Sequence, residues 1–282
     1  MEGTRFFSLT GFMKSGTNWL GSLLSTHEDI TVIGEFHWQA VYAAAIKNFN
    51  LFPAYHDEGF QKYVLGQLDQ VVKSSLKAHC WPPPKVIGER TPRTIAPVIM
   101  RDSPIISIVR DGRDVIVSRA FHLYNEPGFH RLFERVPEMR ADLENFENDK
   151  WYFQKNPHRL LCHEVMVRES VRWWVDHLES DRETIASNPD LRVMTVRYED
   201  LHHDVESERR KLFDFLDVDP LRADEVSGSL KPGFQKERPD QFFRKGQVGD
   251  WKNYFDDHSR GIFNDIAGEE LIRQGYASSL DW

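Results

Sequence analysis

A short loop near the start of the chain contains residue types that bind anions. The segment Thr10–Leu20 holds two glycines, a lysine at Lys14 and hydroxyl groups at Ser15 and Thr17. Glycines permit tight turns, and the hydroxyls and the N–H groups at a helix start can donate hydrogen bonds toward one point. These features predict a phosphate-binding loop, although it lacks the Gly-Lys-Ser/Thr ending of nucleoside-triphosphate loops. An ordinary strand-to-helix turn is the alternative for this segment taken alone.

A second set of anion-binding residue types lies in the middle of the chain. Arg110 follows an apolar run, and Asp111 and Gly112 then turn the chain into a helical pattern that carries Ser118. The guanidinium group binds phosphate through paired hydrogen bonds, so Arg110 and Ser118 could fork around a second anion. The alternative is that Arg110 pairs with a neighbouring carboxylate, such as Asp111 or Asp114.

A third set lies toward the end of the chain. Arg244 and Lys245 are adjacent cations, Gly246 and Gly249 stand three residues apart, and Trp251 follows them. Such a loop can bring backbone amides and two positive charges to one phosphate. A solvated loop is the alternative here.

Composition limits the ligands that these sets can serve. The chain has 282 residues, and 36 Lys and Arg against 44 Asp and Glu give a net charge of −8. This balance argues against nucleic-acid binding, so an anion site must be a local basic cluster. The two cysteines, Cys80 and Cys162, exclude a disulfide framework and favour a reducing, cytoplasmic location. We expect no transmembrane segment and no secretory signal, because no apolar run has the required length or position.

A parallel sheet would place the first two sets at one edge. Five runs of β-branched and aromatic residues have the length of buried strands, and helical patterns separate them. Strands joined by helices predict right-handed crossovers and a mostly parallel sheet, with ligands at the carboxyl ends of its strands. We therefore predict a single α/β domain over 1–282, with a mostly parallel central sheet flanked by helices. The predicted strands are Arg5–Leu9, Ile30–Ile33, Lys85–Gly88, Pro104–Val109 and Arg192–Val196.

Helical patterns fill most of the intervals between these strands. They cover Asn18–Ser25, Trp38–Asn48, Gly59–Leu76, Arg113–Leu123, Cys162–Leu178 and Val205–Leu216. Both Lys14 and Arg110 thus follow a strand and precede a helix, which predicts that they meet at the ligand-binding edge of the sheet.

Together the three sets resemble the nucleotide-binding signatures of sulfotransferases that use 3′-phosphoadenosine 5′-phosphosulfate (PAPS). The segments are KSGTNWL at 14–20, RDGRDVIVS at 110–118 and RKGQVGDWKN at 244–253; VRYEDL at 196–201 is similar to the family's segment before a late helix. The resemblance spans residues 5 to about 255. It implies a P-loop-kinase-like sulfotransferase fold and direct transfer of a sulfuryl group. No metal is expected to be required, since the transferred group carries little charge and the protein supplies the cations.

The resemblance implies a role for each matching residue. Lys14, Ser15, Gly16, Thr17 and Asn18 would hold the 5′-phosphosulfate; Arg110, Ser118, Arg244, Lys245 and Gly246 would hold the 3′-phosphate; Trp19 and Tyr198 would contact the adenine. Ordinary core packing is the alternative for the two aromatic side chains. Lys14 is also a candidate catalytic cation, because a fixed charge at the bridging oxygen acts where negative charge develops.

A general base is needed to take the proton of the acceptor. The segment 87–92 lacks the histidine of small-molecule sulfotransferases and looks like the Glu-Lys-Thr-Pro segment of the carbohydrate branch. In that branch the base is a glutamate shortly after the first helix, which makes Glu35 the candidate and Arg90 its accompanying cation. Glu89 and His37 are the alternative bases. Helix capping by Glu35, or pairing of Glu89 with a neighbouring arginine, would be purely structural roles.

The acceptor stays open because the chain mixes features of both branches. The aromatic-rich segments 34–52, 121–153 and 168–174 favour an apolar or ring-bearing acceptor, such as a lipid, a glycolipid, a carbohydrate or a secondary metabolite. We expect its hydroxyl, rather than an amine, to be sulfated. Residues 121–157 are a candidate helical lid or acceptor-binding insertion. The sequence is also compatible with a homodimer.

Two other functions use similar loops. A non-catalytic module could bind the desulfated nucleotide, adenosine 3′,5′-bisphosphate (PAP), but it should lack Lys14 and a base. A phosphoryl-transfer enzyme on a related fold should carry the Gly-Lys-Ser/Thr loop, which is absent here.

Overall fold

The computed structural model describes residues 3–52, 56–129, 131–233, 237–240 and 244–282. Within these ranges the chain forms a five-stranded sheet with the order β2-β3-β1-β4-β5. All neighbouring pairs of strands are parallel. The strands are β1 Arg5–Gly11, β2 Ile30–Ile33, β3 Val86–Arg90, β4 Ile105–Val109 and β5 Val193–Arg197. The predicted strands and the parallel α/β fold are therefore confirmed, with β1 and β3 each two residues longer at the carboxyl end.

Eleven α-helices accompany the sheet in the described part of the chain. They are α1 Thr17–Leu24, α2 Gln39–Leu51, α3 Glu58–His79, α4 Gly112–Asn125, α5 Leu132–Arg135, α6 Met139–Asn148, α7 Tyr152–Lys155, α8 Glu164–Ser187, α9 Tyr198–His203, α10 Val205–Phe215 and α11 Asp257–Arg273. The six predicted helices are confirmed, and the long helix α11 was not predicted. Among the described residues, none of these helices is both long and apolar enough to cross a membrane.

Alternation along the strands directs side chains to the two faces of the sheet. On one face Leu9, Ile106 and Val196 pack with side chains of α1 and α10. On the other face Phe6 and Ile87 pack with α3. The strands carry buried apolar side chains on both sides, as expected for a parallel sheet that helices cover on both faces.

Helix α8 is fixed to the second face by a buried carboxylate. Asp181 accepts a 2.7 Å hydrogen bond from the Ile95 amide and a 3.4 Å bond from the Ser107 hydroxyl on β4. Because a buried carboxylate is costly without such partners, these bonds fix the position of α8 against the sheet.

The segment 121–157 packs into the largest apolar cluster of the described chain. Phe133, Met139, Phe146 and Phe153 are buried there with side chains of α4, α8 and α11. Burial of a large apolar side chain stabilises a fold by about 1.5–3 kcal/mol. This segment is therefore anchored to the body of the domain by several aromatic side chains.

Candidate active site

The first predicted loop connects β1 to α1 at the carboxyl edge of the sheet. Lys14 has a φ of 69° and Gly16 a φ of 102°, so the backbone turns back on itself before the helix begins. A Cβ atom on Gly16 would lie 2.6 Å from the ring of Tyr198, which leaves no room for a side chain. Glycine is therefore required at this position both for its conformation and for the close approach of Tyr198.

A cavity of about 420 Å³ opens beside this loop. Thirteen of the sixteen predicted site residues line it: Lys14, Gly16, Thr17, Asn18, Trp19, Glu35, His37, Arg110, Ser118, Tyr198, Arg244, Lys245 and Gly246. Three predicted residues, Ser15, Glu89 and Arg90, are not part of its lining. The fold thus brings the three anion-binding sets together, although more than two hundred residues separate Lys14 from Arg244.

Arg110 connects the three sets at one point. Its Nη1 donates to the carbonyl oxygen of Lys14 at 3.1 Å, and its Nη2 donates to the carbonyl oxygen of Gln247 at 2.9 Å. Its guanidinium group lies 4.2 Å from the centre of the Tyr198 ring. The alternative pairing is also present, since the Asp114 carboxylate lies 3.8 Å from Nη2.

Asp114 is a site residue whose main role the sequence did not reveal. Its two carboxylate oxygens accept hydrogen bonds from the amides of Gly249 (2.7 Å) and Trp251 (2.9 Å). Burial raises the pKa of this carboxyl group, opposed by Arg110 and by the two amide donors. Asp114 therefore fastens the late glycine-rich loop to helix α4, next to Arg110.

The predicted adenine contacts, Trp19 and Tyr198, lie side by side in the cavity wall. Their ring centroids are 5.3 Å apart in an edge-to-face arrangement. The Trp19 Nε1 donates to the carbonyl oxygen of Leu230 at 2.8 Å, which fixes the indole. Both rings belong to the core cluster around α1 and also face the cavity, so core packing and ligand contact are compatible here.

Lys14 is a half-buried cation near two other cations. Burial and the positive charges of Arg110 and Arg244 together lower its pKa to about 8, whereas Glu35 acts in the opposite direction. Such an environment favours an anionic ligand, because added negative charge would stabilise the ammonium form.

The candidate bases differ in position. Glu35 accepts from Arg90 Nη1 at 3.1 Å, and its side chain keeps 33% of its surface exposed at the cavity. His37 also lines the cavity, with its Nε2 3.8 Å from the Glu35 carboxylate. Glu89 is only 1% exposed, and its carboxylate accepts from Thr91 and from Arg93 Nη2.

Two further features involve histidines. His202 is half-buried with its ring 6.2 Å from that of Tyr198, and burial lowers its pKa. Among the described residues, Asp142, Cys162 and His163 are the group with metal-ligand spacing. Asp142 is already bonded to Arg159 and to His163 at 2.7–2.9 Å, and the group is outside the cavity lining.

The sequence model of the sulfotransferase domain family matches residues 7–275. The 3-alpha-hydroxysteroid sulfotransferase of Cavia porcellus is 25% identical over 288 aligned positions, covering 95% of this chain and 84% of that protein. Sulfotransferase 1E1 of Rattus norvegicus is 25% identical over 202 positions, covering 64% of this chain and 60% of that protein. The latter match thus spans less than two thirds of the rat protein's length.

Solved structures show a weaker likeness. Mouse sulfotransferase SULT7A1 complexed with PAP has a TM-score of 0.49 at 19% identity, with coverage of 95% of this chain and 84% of that one. The family assignment rests instead on the sequence match, which extends over almost the whole chain. This chain belongs to the sulfotransferase domain family.

Proposed function

We propose that the protein is an enzyme that transfers the sulfuryl group of PAPS to a hydroxyl group of an acceptor and releases PAP. One observation carries the proposal: Lys14, Arg110 and the Arg244–Lys245 pair, from three distant loops, line the same cavity. A nucleotide with negative groups at both its 5′ and 3′ positions requires two separate positive regions.

The donor groups of the cavity fit such a nucleotide. Among the described residues, Arg110 Nε in the cavity wall is buried without a hydrogen-bond partner, an uncommon state that a bound anion can relieve; Ser15 Oγ is likewise without a partner, although Ser15 is outside the lining. The residues proposed to hold the phosphosulfate are Lys14, Ser15, Gly16, Thr17 and Asn18. Those proposed for the 3′-phosphate are Arg110, Ser118, Arg244, Lys245 and Gly246, with Trp19 and Tyr198 at the adenine.

The proposed chemistry is a direct displacement at sulfur. The acceptor oxygen forms a bond to sulfur as the bond from sulfur to the bridging oxygen of the nucleotide breaks. The electron pair of the broken bond remains on the bridging oxygen, where Lys14 is proposed to stabilise the developing charge. The acceptor proton passes to a carboxylate of the protein.

Glu35 is the proposed general base. Its carboxylate faces the cavity that also contains the Lys14 ammonium, and Arg90 orients it through the 3.1 Å hydrogen bond. Through its hydrogen bond to Glu35, Arg90 is also proposed to influence the transferring sulfuryl group indirectly. Glu89 is a weaker candidate because its carboxylate is buried among its own partners, and His37 remains the second choice at the cavity wall.

The acceptor is proposed to be apolar or ring-bearing. Phe36 is 39% exposed next to Glu35, and Phe52, Trp151 and Trp173 are exposed as well in the predicted acceptor-facing segments, although none of the four is in the described cavity lining. Tyr124 and Trp174, by contrast, are core residues. We propose residues 34–52 and 121–157 as the acceptor-binding segments, the latter as an insertion anchored by its buried aromatic side chains rather than as a mobile lid. A cytoplasmic location, a homodimer and independence from metal ions stay predictions.

A transfer assay tests this function. The protein is incubated with PAPS carrying labelled sulfate and with acceptor extracts, and the labelled product is identified by its mass gain of one SO₃ group. A non-catalytic PAP-binding module would give no product. A phosphoryl-transfer enzyme would instead consume a nucleoside triphosphate, which is supplied in a parallel reaction.

A binding measurement tests the nucleotide assignment separately. Charge-assisted hydrogen bonds contribute about 1.5–3 kcal/mol each, so PAP should bind at least tenfold more tightly than 5′-AMP. Equal affinities by calorimetry would contradict the assignment of the 3′-phosphate residues.

A further inference from the structure

The two cations assigned to the 3′-phosphate already have carboxylate partners. Arg244 Nη1 contacts Glu237 Oε1 at 2.5 Å, and its Nη2 donates to Asp250. Lys245 Nζ donates to Asp250 Oδ1 at 2.8 Å and lies 3.4 Å from Glu237 Oε2. Two positive and two negative groups thus alternate, and the positive region is neutralised from within the protein.

The two carboxylates are held differently. Asp250 is 4% exposed and also accepts from Asn253 Nδ2 at 3.0 Å, at the start of a short helical turn that Asp114 fastens through Trp251. It is therefore part of the framework of the loop. The Glu237 side chain is 19% exposed and has one further neutral contact, a 3.1 Å hydrogen bond from Gln154 Nε2.

This difference decides which carboxylate can yield to a ligand. Moving Asp250 would leave the two cations, Asn253 and the turn without their shared acceptor, at a nearly buried position. Moving Glu237 breaks contacts at a partly exposed position, where its carboxylate can become hydrated. A phosphate dianion carries more charge than one carboxylate and can replace it at Arg244 and Lys245.

We propose that Glu237 lowers the affinity of the site for PAP by competing with the 3′-phosphate of the nucleotide for Arg244 and Lys245. The proposal rests on the proposed function of the cavity and adds a role for an acidic residue of the same site. When PAP binds, its 3′-phosphate replaces Glu237; when PAP leaves, Glu237 returns to the cations. Glu237 thereby weakens PAP binding and promotes release of the product. A nucleotide without a 3′-phosphate does not replace Glu237, so its affinity is independent of this residue.

The test compares calorimetric binding of PAP and of 5′-AMP to wild type and to Glu237→Gln. The glutamine keeps the size of the side chain and removes its charge. Surface ion pairs contribute up to about 1 kcal/mol, and these pairs are less exposed, so we expect PAP to bind at least about fivefold more tightly to the variant. The affinity for 5′-AMP should stay within a factor of about two, because the uncharged 3′-hydroxyl of 5′-AMP does not compete with Glu237 for the two cations. Stopped-flow measurement should show that the gain in PAP affinity lies in a slower dissociation.

Two other variants sharpen the result. Glu183→Gln removes one negative charge from an exposed position of α8, outside the cavity lining, and should leave both affinities unchanged. Asp250→Asn should weaken PAP binding, because it disturbs the framework of the loop. Unaltered unfolding temperature of Glu237→Gln shows that the variant is folded.

The outcomes separate the inference from the proposed function. Unchanged or weaker PAP binding by Glu237→Gln, with a wild type that prefers PAP, would overturn the inference alone and make Glu237 a positioning residue. A wild type that binds PAP and 5′-AMP equally would overturn both the inference and the assignment of the 3′-phosphate site.

Discussion

The nucleotide side and the proposed acceptor side of the cavity are built in opposite ways. On the nucleotide side, Arg110 and Asp114 join loops that are distant in sequence, through short bonds to backbone groups. On the acceptor side, Phe36 is exposed, and its ring packs locally on Trp38 and on His79 at 6.0 and 5.6 Å.

This difference explains why the donor is easier to infer than the acceptor. The nucleotide side demands particular residue types, since each charge and each glycine meets a fixed neighbour. The proposed acceptor segments carry exposed aromatic groups that many apolar molecules could contact, so their sequence carries little information about any particular acceptor.

The strongest test of the nucleotide side is Lys14→Met. Loss of a charge placed where negative charge develops should lower turnover by about 10²–10³-fold, with a smaller effect on PAP affinity. Steady-state kinetics and calorimetry measure the two effects. Lys231→Met removes another charge from the cavity lining, at an exposed position, and should reduce turnover far less. An unchanged turnover with a raised KM would make Lys14 a binding residue only.

At the junction of the two sides, Glu35→Gln should lower turnover by roughly 10²-fold, because glutamine cannot take the acceptor proton. The affinity for PAP should stay near that of wild type. Glu89→Gln and His37→Ala are the matched comparisons and should be milder. A nearly normal Glu35→Gln beside an inactive Glu89→Gln or His37→Ala would transfer the role to that residue.

Asp114→Asn tests whether nucleotide binding depends on the hydrogen bonds that hold the loop at Gly249 and Trp251 to helix α4. The amide can accept at only one of the two positions, and an unsatisfied buried amide costs about 1–3 kcal/mol, so PAP binding should weaken about tenfold. Calorimetry and thermal unfolding measure the loss. Asp265→Asn, at an exposed position of α11, is the control and should change neither quantity.

On the acceptor side, Phe36→Ala should raise the KM for an apolar acceptor a few-fold, as expected from loss of about 1 kcal/mol of apolar contact. The dissociation constant of PAP should not change, since the nucleotide is assigned to other loops. Saturation kinetics with the acceptor found by the transfer assay provide the measurement. A parallel loss of PAP affinity would show that the two sides are not independent.

The smallest expected effect is a proton taken up on binding. The pKa of Lys14 is lowered to about 8, so near this pH the Lys14 side chain is a neutral amine in about half of the free protein molecules. PAP adds negative charge and raises this pKa, so binding should take up protons above pH 8 and weaken as the pH rises further. Calorimetry in buffers of different ionisation enthalpy measures the uptake. Lys14→Arg should abolish it, and persistence in that variant would assign the proton to another group.

The sequence predicted the sheet and most of the cavity because their signals are local. Strands such as Ile105–Val109 are short apolar runs, and the loops at Lys14 and Arg110 directly follow them. Helix α11 was missed because Gly261 and Gly268 interrupt its pattern, and contacts with α8 stabilise it instead.

The partners of the charged groups could not be read in the same way. Asp114 meets Gly249 and Trp251, which lie more than 130 residues away along the chain. The adjacent cations Arg244 and Lys245 are recognisable as a pair, but their contacts with Glu237, seven and eight residues earlier, depend on how the loop folds back. The spacing of residues along the chain does not predict such contacts.

The contacts of Arg110 also have a consequence for biosynthesis. Its guanidinium group donates hydrogen bonds to Lys14, 96 residues earlier in the chain, and to Gln247, 137 residues later. A nascent chain that has not yet emerged from the ribosome as far as Gln247 cannot close this junction. The proposed nucleotide site is therefore completed only late in synthesis, after the loops of Lys14, Arg110 and Gln247 have all emerged.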